Sequence, residues 1–375
     1  MKVLLTGGSG TGGHFYPLIA VARALKNIAA EEHIIKMELF WADEKPFDPN
    51  IIAEEQIELI KISSGKFPRY ASVQNIISPF KILFGFFMAF WKLYFLLPDI
   101  IFSKGGFSAF PVLLAARILK IPVIIHESDS VPGKVNKWSG KWADRIAISF
   151  QQTAEFFKSD RVAVTGNPIR QQVVGGNLQE AIETFNLEER LPTMLILGGS
   201  QGAEQINEVV LDMLQEAVTR YQIIHQTGKI LFNDVVGRAG IILEKSDFKH
   251  RYHPYPFLEE SNLRNASKAA SIVVSRAGSA AIFEAAAWQL PAILIPLQNS
   301  AQDHQRENAY VYARFGACEV IEGANLKPHI LLSAIDKILQ DQTKKGRMIR
   351  AAQEFARLDA AKTIAKEIIM LGVHD

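Results

Sequence analysis

Short unbroken runs of apolar residues alternate with longer stretches whose apolar positions recur every three to four residues, a rhythm of buried parallel strands joined by helices. In the first half this predicts strands at 2–5, 37–41, 57–60, 100–103, 123–126, 145–149 and 162–164, with helices at 16–27 and 111–119. Gly166 and Pro168 then stop regular structure, and a polar stretch from Arg170 to Pro192 follows. The pattern restarts with strands at 193–197, 222–226, 272–275 and 292–296, and with helices at about 203–217 and at 279–289. A final helical stretch, 344–371, has no strand to pair with. The reading is an α/β chain of two doubly wound parallel-sheet units, and 375 residues is the length expected of two domains.

Composition narrows the class. With 48% apolar and 21% charged residues the chain can bury large cores, and Cys318 alone supports neither a disulfide framework nor a cysteine-rich metal site, which points to a reducing compartment. The N-terminus enters a strand directly, without the series of features of a secretory signal. A net charge of +2 gives no general argument for nucleic acid. The charge is unevenly spread, however: Lys61, Lys66, Arg69, Lys81 and Lys92 fall within 61–98, which has no acidic residue. Inside that segment, 80–97 is almost wholly apolar and aromatic. Lys81 and Lys92 return to within about 20° of one helical face, and Lys92 keeps the run short of the roughly 18 uncharged residues of a spanning helix. Two readings stand, a buried core helix and, preferred, docking on an anionic membrane surface.

Glycine-rich turns carry the candidate chemistry. Leu4 to His14 and Leu195 to Ala203 both run from a strand through Gly-Gly-Ser into a helix, a form in which backbone N–H groups face an anion. The first lacks the spacing of a dinucleotide fingerprint. It does carry His14, a candidate general base, which the second loop lacks. A third turn, Ser103-Lys104-Gly105-Gly106-Phe107-Ser108, also leads into a helix and could flank a second phosphate-bearing substrate. His126-Glu127-Ser128-Asp129 closes a buried strand, so Glu127 or Asp129 either satisfies a turn or meets a sugar hydroxyl and supports the base. Arg170 offers a guanidinium to a diphosphate, Glu284 can accept both hydroxyls of a ribose, and the polar run from Gln302 through Gln305 to Asn308 suits sugar hydroxyls. No pattern of metal ligands appears.

Taken in order, Gly10-Thr11-Gly12-Gly13-His14 with Pro17, Gly105-Gly106 with Pro111, Ile121 to Glu127, Gly133 with Asn136-Lys137, and Gly166 to Arg170 form one set of matches. They continue through Gly198 to Ala203, His225 to Gly228, Ser275 to Gly278 with Glu284, and Asp303 to Gln305 with Asn308-Ala309. Across nearly its whole length the chain resembles the MurG family of UDP-N-acetylglucosamine–lipid I N-acetylglucosaminyltransferases, within glycosyltransferase family 28. Two departures stand out: Asp129 replaces a frequent asparagine, and His304 precedes Gln305 where a glutamine pair is common.

The resemblance implies a GT-B fold of two Rossmann-like domains with an interdomain cleft. Residues 1–168 would be the acceptor and membrane-side domain, joined by a C-terminal helix at about 350–375, and 169–349 the UDP-N-acetylglucosamine domain. Donor contacts would come from Thr11, Gly12, Gly13, Asp129, Arg170, Ser200, Leu258, Ser279, Ala280, Glu284 and Gln305, with Leu258 near the uracil. Gly105, Gly106 and His126 would lie on the acceptor side, and His14 and Glu127 in the catalytic step. The implied reaction is inverting, without metal or cofactor. Lipid I, an anionic membrane surface and cell-wall synthesis proteins are the implied partners, at the cytoplasmic face of the membrane as a peripheral protein. A lipid glycosyltransferase and a UDP-N-acetylglucosamine epimerase are rivals of similar architecture; a non-catalytic nucleotide-binding regulator and an NAD enzyme are the more distant ones.

Overall fold

In the computed structural model, which describes residues 1–10, 12–33, 36–65, 74–157, 160–199, 203–297 and 303–373, the apolar runs form two parallel sheets. The first contains β1 (Lys2–Thr6), β2 (Glu38–Asp43), β3 (Glu58–Lys61), β4 (Ile100–Ser103), β5 (Val123–Glu127), β6 (Arg145–Ile148) and β7 (Val162–Val164), in the order β3-β2-β1-β4-β5-β6-β7. The second contains β8 (Thr193–Leu197), β9 (Gln222–Gln226), β10 (Tyr252–Tyr255), β11 (Ala270–Arg276), β12 (Ala292–Ile295) and β13 (Cys318–Val320), in the order β10-β9-β8-β11-β12-β13. The order reverses direction beside β1 and beside β8, the topological switch points at which such sheets take ligands.

Each unit has its own core. In the first (1–170 with 357–375), side chains alternate between the two faces of β1: Val3 and Leu5 join Phe15, Leu18 and Trp41, whereas Leu4 joins Leu93, Val112 and Ile125 on the opposite face. Helix Ala360–Gly372 covers the first of these faces through Ile364 and Ile368, packed on helix Gly12–Glu31. The second unit (171–356) is built on Met194, Ile196, Val210, Leu214, Ile272 and Val274.

Local chemistry moved several boundaries. Helices Gly12–Glu31 and Gly106–Leu119 begin earlier than the pattern predicts and carry Pro17 and Pro111 inside them. Those prolines remove the N–H groups that would bond back to Gly13 and Phe107, so the amphipathic signal starts late. The expected C-terminal helix is two, Gln342–Phe355 in the second unit and Ala360–Gly372 in the first, because the chain turns extended at Ala356. Strand β10 escaped the pattern because Pro254 interrupts it, which an edge strand tolerates.

The aromatic segment forms helix Gln74–Leu96. Its buried stripe is Gly85, Ala89 and Leu93, by which it packs on helix Gly106–Leu119, and a β-carbon on Gly85 would strike the Ser63 carbonyl. Phe86, Phe90 and Leu96 flank that stripe, partly buried against the core, while Phe80, Phe84, Phe87, Trp91, Tyr94 and Phe95 turn outward, each at least half exposed. Among the described residues no helix is long and apolar enough to cross a membrane.

Candidate functional site

In the first unit the glycine turns after β1 and β4 meet. Gly7, at φ +94°, lies against the backbone of Lys104 and Gly105, and a β-carbon there would strike the Gly105 carbonyl. Gly105 and Gly106 are also at positive φ, which turns the chain into helix Gly106–Leu119. His14 sits in the first turn of helix Gly12–Glu31, with its ring 3.7 Å from where a β-carbon on Gly106 would stand. Its Nδ1 is 3.2 Å from the Gly7 carbonyl oxygen. A carbonyl oxygen only accepts, so Nδ1 carries a proton, and in the neutral ring the lone pair that a general base needs is then on Nε2. His14, Gly105 and Gly106 are thus brought together, with Gly12 and Gly13 on the same helix start. Thr11, expected to meet the donor, lies outside the described residues.

A buried polar network lies behind this edge. His126 is fully buried: its Nε2–H donates to the Gly166 carbonyl at 3.0 Å and its Nδ1 accepts from Lys104 Nζ at 2.6 Å. Burial and the adjacent ammonium hold it well below the usual imidazole range, hence neutral. With both nitrogens occupied it braces the edge from beneath instead of presenting itself to an acceptor, unlike the expectation for it. Glu127 accepts from the N–H groups of Asp129 and Gly133, both at 3.0 Å, and from Asn136 Nδ2 at 2.9 Å. Three donors mark it as a carboxylate that orders the turn after β5. Asp129 is half-buried on that turn, its carbonyl accepting from Thr153 Oγ1 at 3.1 Å. Arg170 is buried, its guanidinium 3.8 Å above the Tyr16 ring, one turn or less from His14.

Lys104, Asn136 and Asn167 are network members that the sequence reading did not single out. The available signal was a lysine closing the buried strand β4, since a cation there needs a built surround.

In the second unit the turn after β8 has Gly199 at φ +81° and the Gly198 N–H bonded to the Gln226 carbonyl at 3.1 Å. Ser200 lies outside the described residues, as does Gln302. Gln226 Oε1 also accepts from the Leu258 N–H at 3.0 Å, and the Leu258 side chain is fully buried. Helix Ser279–Ala287 starts from Gly278 without a side-chain cap, which leaves its first N–H groups available to an anion at the strand ends. Ser279 is buried, Ala280 and Glu284 half-buried. Gln305, in the first turn of helix His304–Arg314, accepts from the Leu297 N–H at 2.9 Å. The arrangement groups anion-seeking N–H groups with a carboxylate and a carboxamide, the chemistry of a sugar-nucleotide site. Among the described residues no three His, Cys, Asp or Glu side chains are grouped to hold a metal ion.

Behind the β9 end, His225 is fully buried, Nδ1 accepting from Tyr252 OH at 2.9 Å and Nε2–H donating to Asn207 Oδ1 at 3.1 Å, while Asn207 Nδ2 reaches the Thr227 carbonyl at 3.0 Å. Burial holds its pKa at about 3. An unfolded chain restores about 6.5, so the folded state binds fewer protons; the stabilisation is complete above pH ~6.5 and is lost as pH falls toward ~3. Denaturant unfolding of the wild type is expected to weaken between pH 7 and 4, and less steeply in a His225→Gln variant. Equal slopes would refute this account.

Two family models match the chain: the glycosyltransferase family 28 N-terminal domain over residues 3–148 and the glycosyltransferase family 28 C-terminal domain over 193–364. A curated relative from Treponema denticola is 34% identical over 378 residues, covering 96% of this chain and 95% of its own length. One from Listeria monocytogenes is 34% identical over 99% of both chains. Both are named as the UDP-N-acetylglucosamine–N-acetylmuramyl-(pentapeptide) pyrophosphoryl-undecaprenol N-acetylglucosamine transferase. Among solved structures, the crystal structure of MurG from Acinetobacter baumannii superposes with a TM-score of 0.74 at 25% identity, covering 99% of this chain and 100% of that one.

Proposed function

The chain belongs to glycosyltransferase family 28, with two Rossmann-like units of the GT-B fold, and we propose the following account of how its residues perform the family's transfer. It is a UDP-N-acetylglucosamine-dependent hexosyltransferase of peptidoglycan synthesis, with a lipid-linked acceptor. The C4 hydroxyl of the N-acetylmuramyl unit of lipid I gives its proton to His14 Nε2 as its oxygen bonds to C1 of N-acetylglucosamine. The bond from C1 to the phosphate oxygen breaks, UDP leaves, and the configuration at C1 inverts. The observation that carries this reading is the His14–Gly7 hydrogen bond, which holds the unprotonated nitrogen away from the backbone.

The second unit holds the donor. The N-terminus of helix Ser279–Ala287 and the Gly198–Gly199 turn, with Ser200, serve the pyrophosphate. Glu284 takes the ribose hydroxyls, Leu258 borders the uracil, and Gln305 meets the sugar. In the first unit Thr11, Gly12, Gly13 and Asp129 contact the donor sugar and Arg170 its diphosphate, while Gly105 and Gly106 serve the acceptor. Glu127 supports the step by ordering the turn that carries Asp129.

Turnover with UDP-N-acetylglucosamine and a lipid I analogue in the presence of a chelator tests donor, acceptor and metal independence together. Transfer to lipid I supports the assignment. Transfer to diacylglycerol alone would make it a different lipid glycosyltransferase, and release of UDP without acceptor an epimerase.

The outward aromatic face of helix Gln74–Leu96 docks on an anionic lipid surface, from the cytoplasmic side. Trp91 and Tyr94 are interface-seeking residues, and the exposed Lys81 and Lys92 supply charge complementarity. Lys66 and Arg69, which would add to that charge, lie outside the described residues. In liposome flotation, joint replacement of Phe84, Phe87, Trp91 and Phe95 by serine is expected to abolish binding, and Lys81→Glu with Lys92→Glu to remove the preference for anionic vesicles. Turnover of a short-chain, water-soluble acceptor is expected to persist. Unchanged flotation would refute the docking face.

A further inference from the structure

Lys104 has no task in the transfer step, yet its side chain is among the largest that the fold buries completely. An ammonium in such a place is unstable by several kcal/mol unless its protons are taken up and its charge is answered. Nζ donates to His126 Nδ1 at 2.6 Å, to Ser128 Oγ, and to Asn167 Oδ1 at 3.3 Å. The imidazole is neutral and accepts at this nitrogen because its other nitrogen donates to the Gly166 carbonyl. Three acceptors therefore converge on one ammonium. They come from β5, from the turn after β5, and from the turn after β7, while Lys104 itself follows β4. Asn136 Nδ2 closes the set by bridging the carbonyls of Lys104 and His126, at 3.4 and 3.1 Å, to Glu127 Oε2 at 2.9 Å.

The charge balance follows from the same contacts. Glu127 accepts from three donors, which favours its ionised form, and Asp129 stands two residues further along the chain. Burial pulls Lys104 down to about 7 against the opposing pull of Glu127 and Asp129, and burial together with Asp129 pushes Glu127 up to about 7, so the ammonium relies on the two carboxylates beside it for its charge. The titratable groups facing Lys104 are His126 and Glu127 from β5, Asp129 from the following turn, and, acting on the same cluster, His14 from the first helix. Two residues past Lys104, Gly106 lies beside the His14 ring, where an added β-carbon would stand 3.7 Å from it.

We propose that Lys104 is a positioning residue for the transfer reaction: its ammonium ties together the ends of β4, β5 and β7 and supplies the counter-charge that lets Glu127 and Asp129 be held at the sheet edge that carries His14. The proposal deepens the assignment of His14 as the base and rests on it. Without the ammonium, Glu127 is a buried carboxylate without its counter-ion. The turn carrying Asp129 then loosens, and the uncompensated negative charge favours the imidazolium form of His14.

The test is a cycle of full-length Lys104→Met, Glu127→Gln and the double variant, read by melting temperature, donor affinity and the pH profile of kcat/KM with a lipid I analogue. For Lys104→Met the expected result is a kcat lower by roughly 10- to 50-fold, because small displacements of reacting groups suffice for that loss, with the acidic limb of the profile moved to higher pH. Donor affinity falls by no more than a few-fold, since Asp129 is one of several donor contacts and most of the others lie outside the network. The double variant is expected to melt higher than Lys104→Met and to regain part of its kcat, since neutralising Glu127 removes the stranded charge. If Lys104→Met fails to fold, a folded double variant supports the proposal. A Lys104→Met enzyme with unchanged kcat and pH profile, or a double variant no better in melting temperature than Lys104→Met, overturns it. A His14→Ala enzyme that keeps full turnover would sink the base assignment separately, because the melting arm of the cycle does not depend on it.

Discussion

Replacing His14 with alanine is expected to lower kcat about 100- to 10,000-fold, the span of a lost general base, while UDP-N-acetylglucosamine binding changes little. The physical reason lies in one hydrogen bond. With Nδ1–H held by the Gly7 carbonyl, the ring cannot rotate freely, and Nε2 is left as an acceptor for the acceptor hydroxyl's proton. The ring is half-buried and lies beside the Gly105–Gly106 turn, where a β-carbon on Gly106 would stand 3.7 Å from it. His14→Gln distinguishes shape from basicity: an amide can accept a hydrogen bond but does not take up a proton, so it is expected to stay within tenfold of alanine. Isothermal titration with UDP-N-acetylglucosamine and single-turnover kinetics measure the two quantities apart. Full turnover by His14→Ala, with normal donor binding, would remove His14 from the chemistry.

Much of this fold was legible because its strands are buried on both faces. The runs Ile100–Ser103, Thr193–Leu197 and Gln222–Gln226 stand where the pattern of apolar residues puts them. Legibility failed where the deciding interaction is tertiary. Composition leaves helix Gln74–Leu96 open between core and surface, and the choice rests on Gly85, Ala89 and Leu93 forming a narrow buried stripe, Gly85 hard against the Ser63 backbone, which leaves most of the aromatic residues on the outer side. At the site, the glycine turns and His14 announce themselves by residue type. Lys104 does not, because a lysine beside two glycines looks like a solvated loop residue until β5 and the turn after β7 are seen to close over it. His126 gave the opposite difficulty: the end of a strand at the ligand edge reads as accessible, and its two hydrogen bonds place it underneath.

The glycines themselves have two distinct physical roles, and Gly7→Ala against Gly10→Ala separates them. Both residues are at positive φ, +94° and +99°, so an alanine at either carries the left-handed strain of about 1–2 kcal/mol. At Gly10 the added methyl meets nothing within 4 Å, and the strain is the whole effect. At Gly7 the methyl strikes the Gly105 carbonyl, which is backbone and cannot swing aside as a side chain would. Overpacking of that kind adds about 1–3 kcal/mol, so Gly7→Ala is expected to destabilise the protein by about 2–5 kcal/mol in all. In a unit of this size that corresponds to a fall in melting temperature of roughly 5–15 °C. The strained Gly7 peptide also displaces the carbonyl that holds His14 Nδ1, so kcat is expected to fall even in the folded fraction. Gly10→Ala is expected to keep its kcat within a few-fold of the wild type, since a strain of this size leaves the Gly105–Gly106 turn in place. Calorimetry and initial rates at a temperature where both variants are folded decide it, and equal losses at the two positions would mean that the turn after β1 does not rely on close approach to the turn after β4.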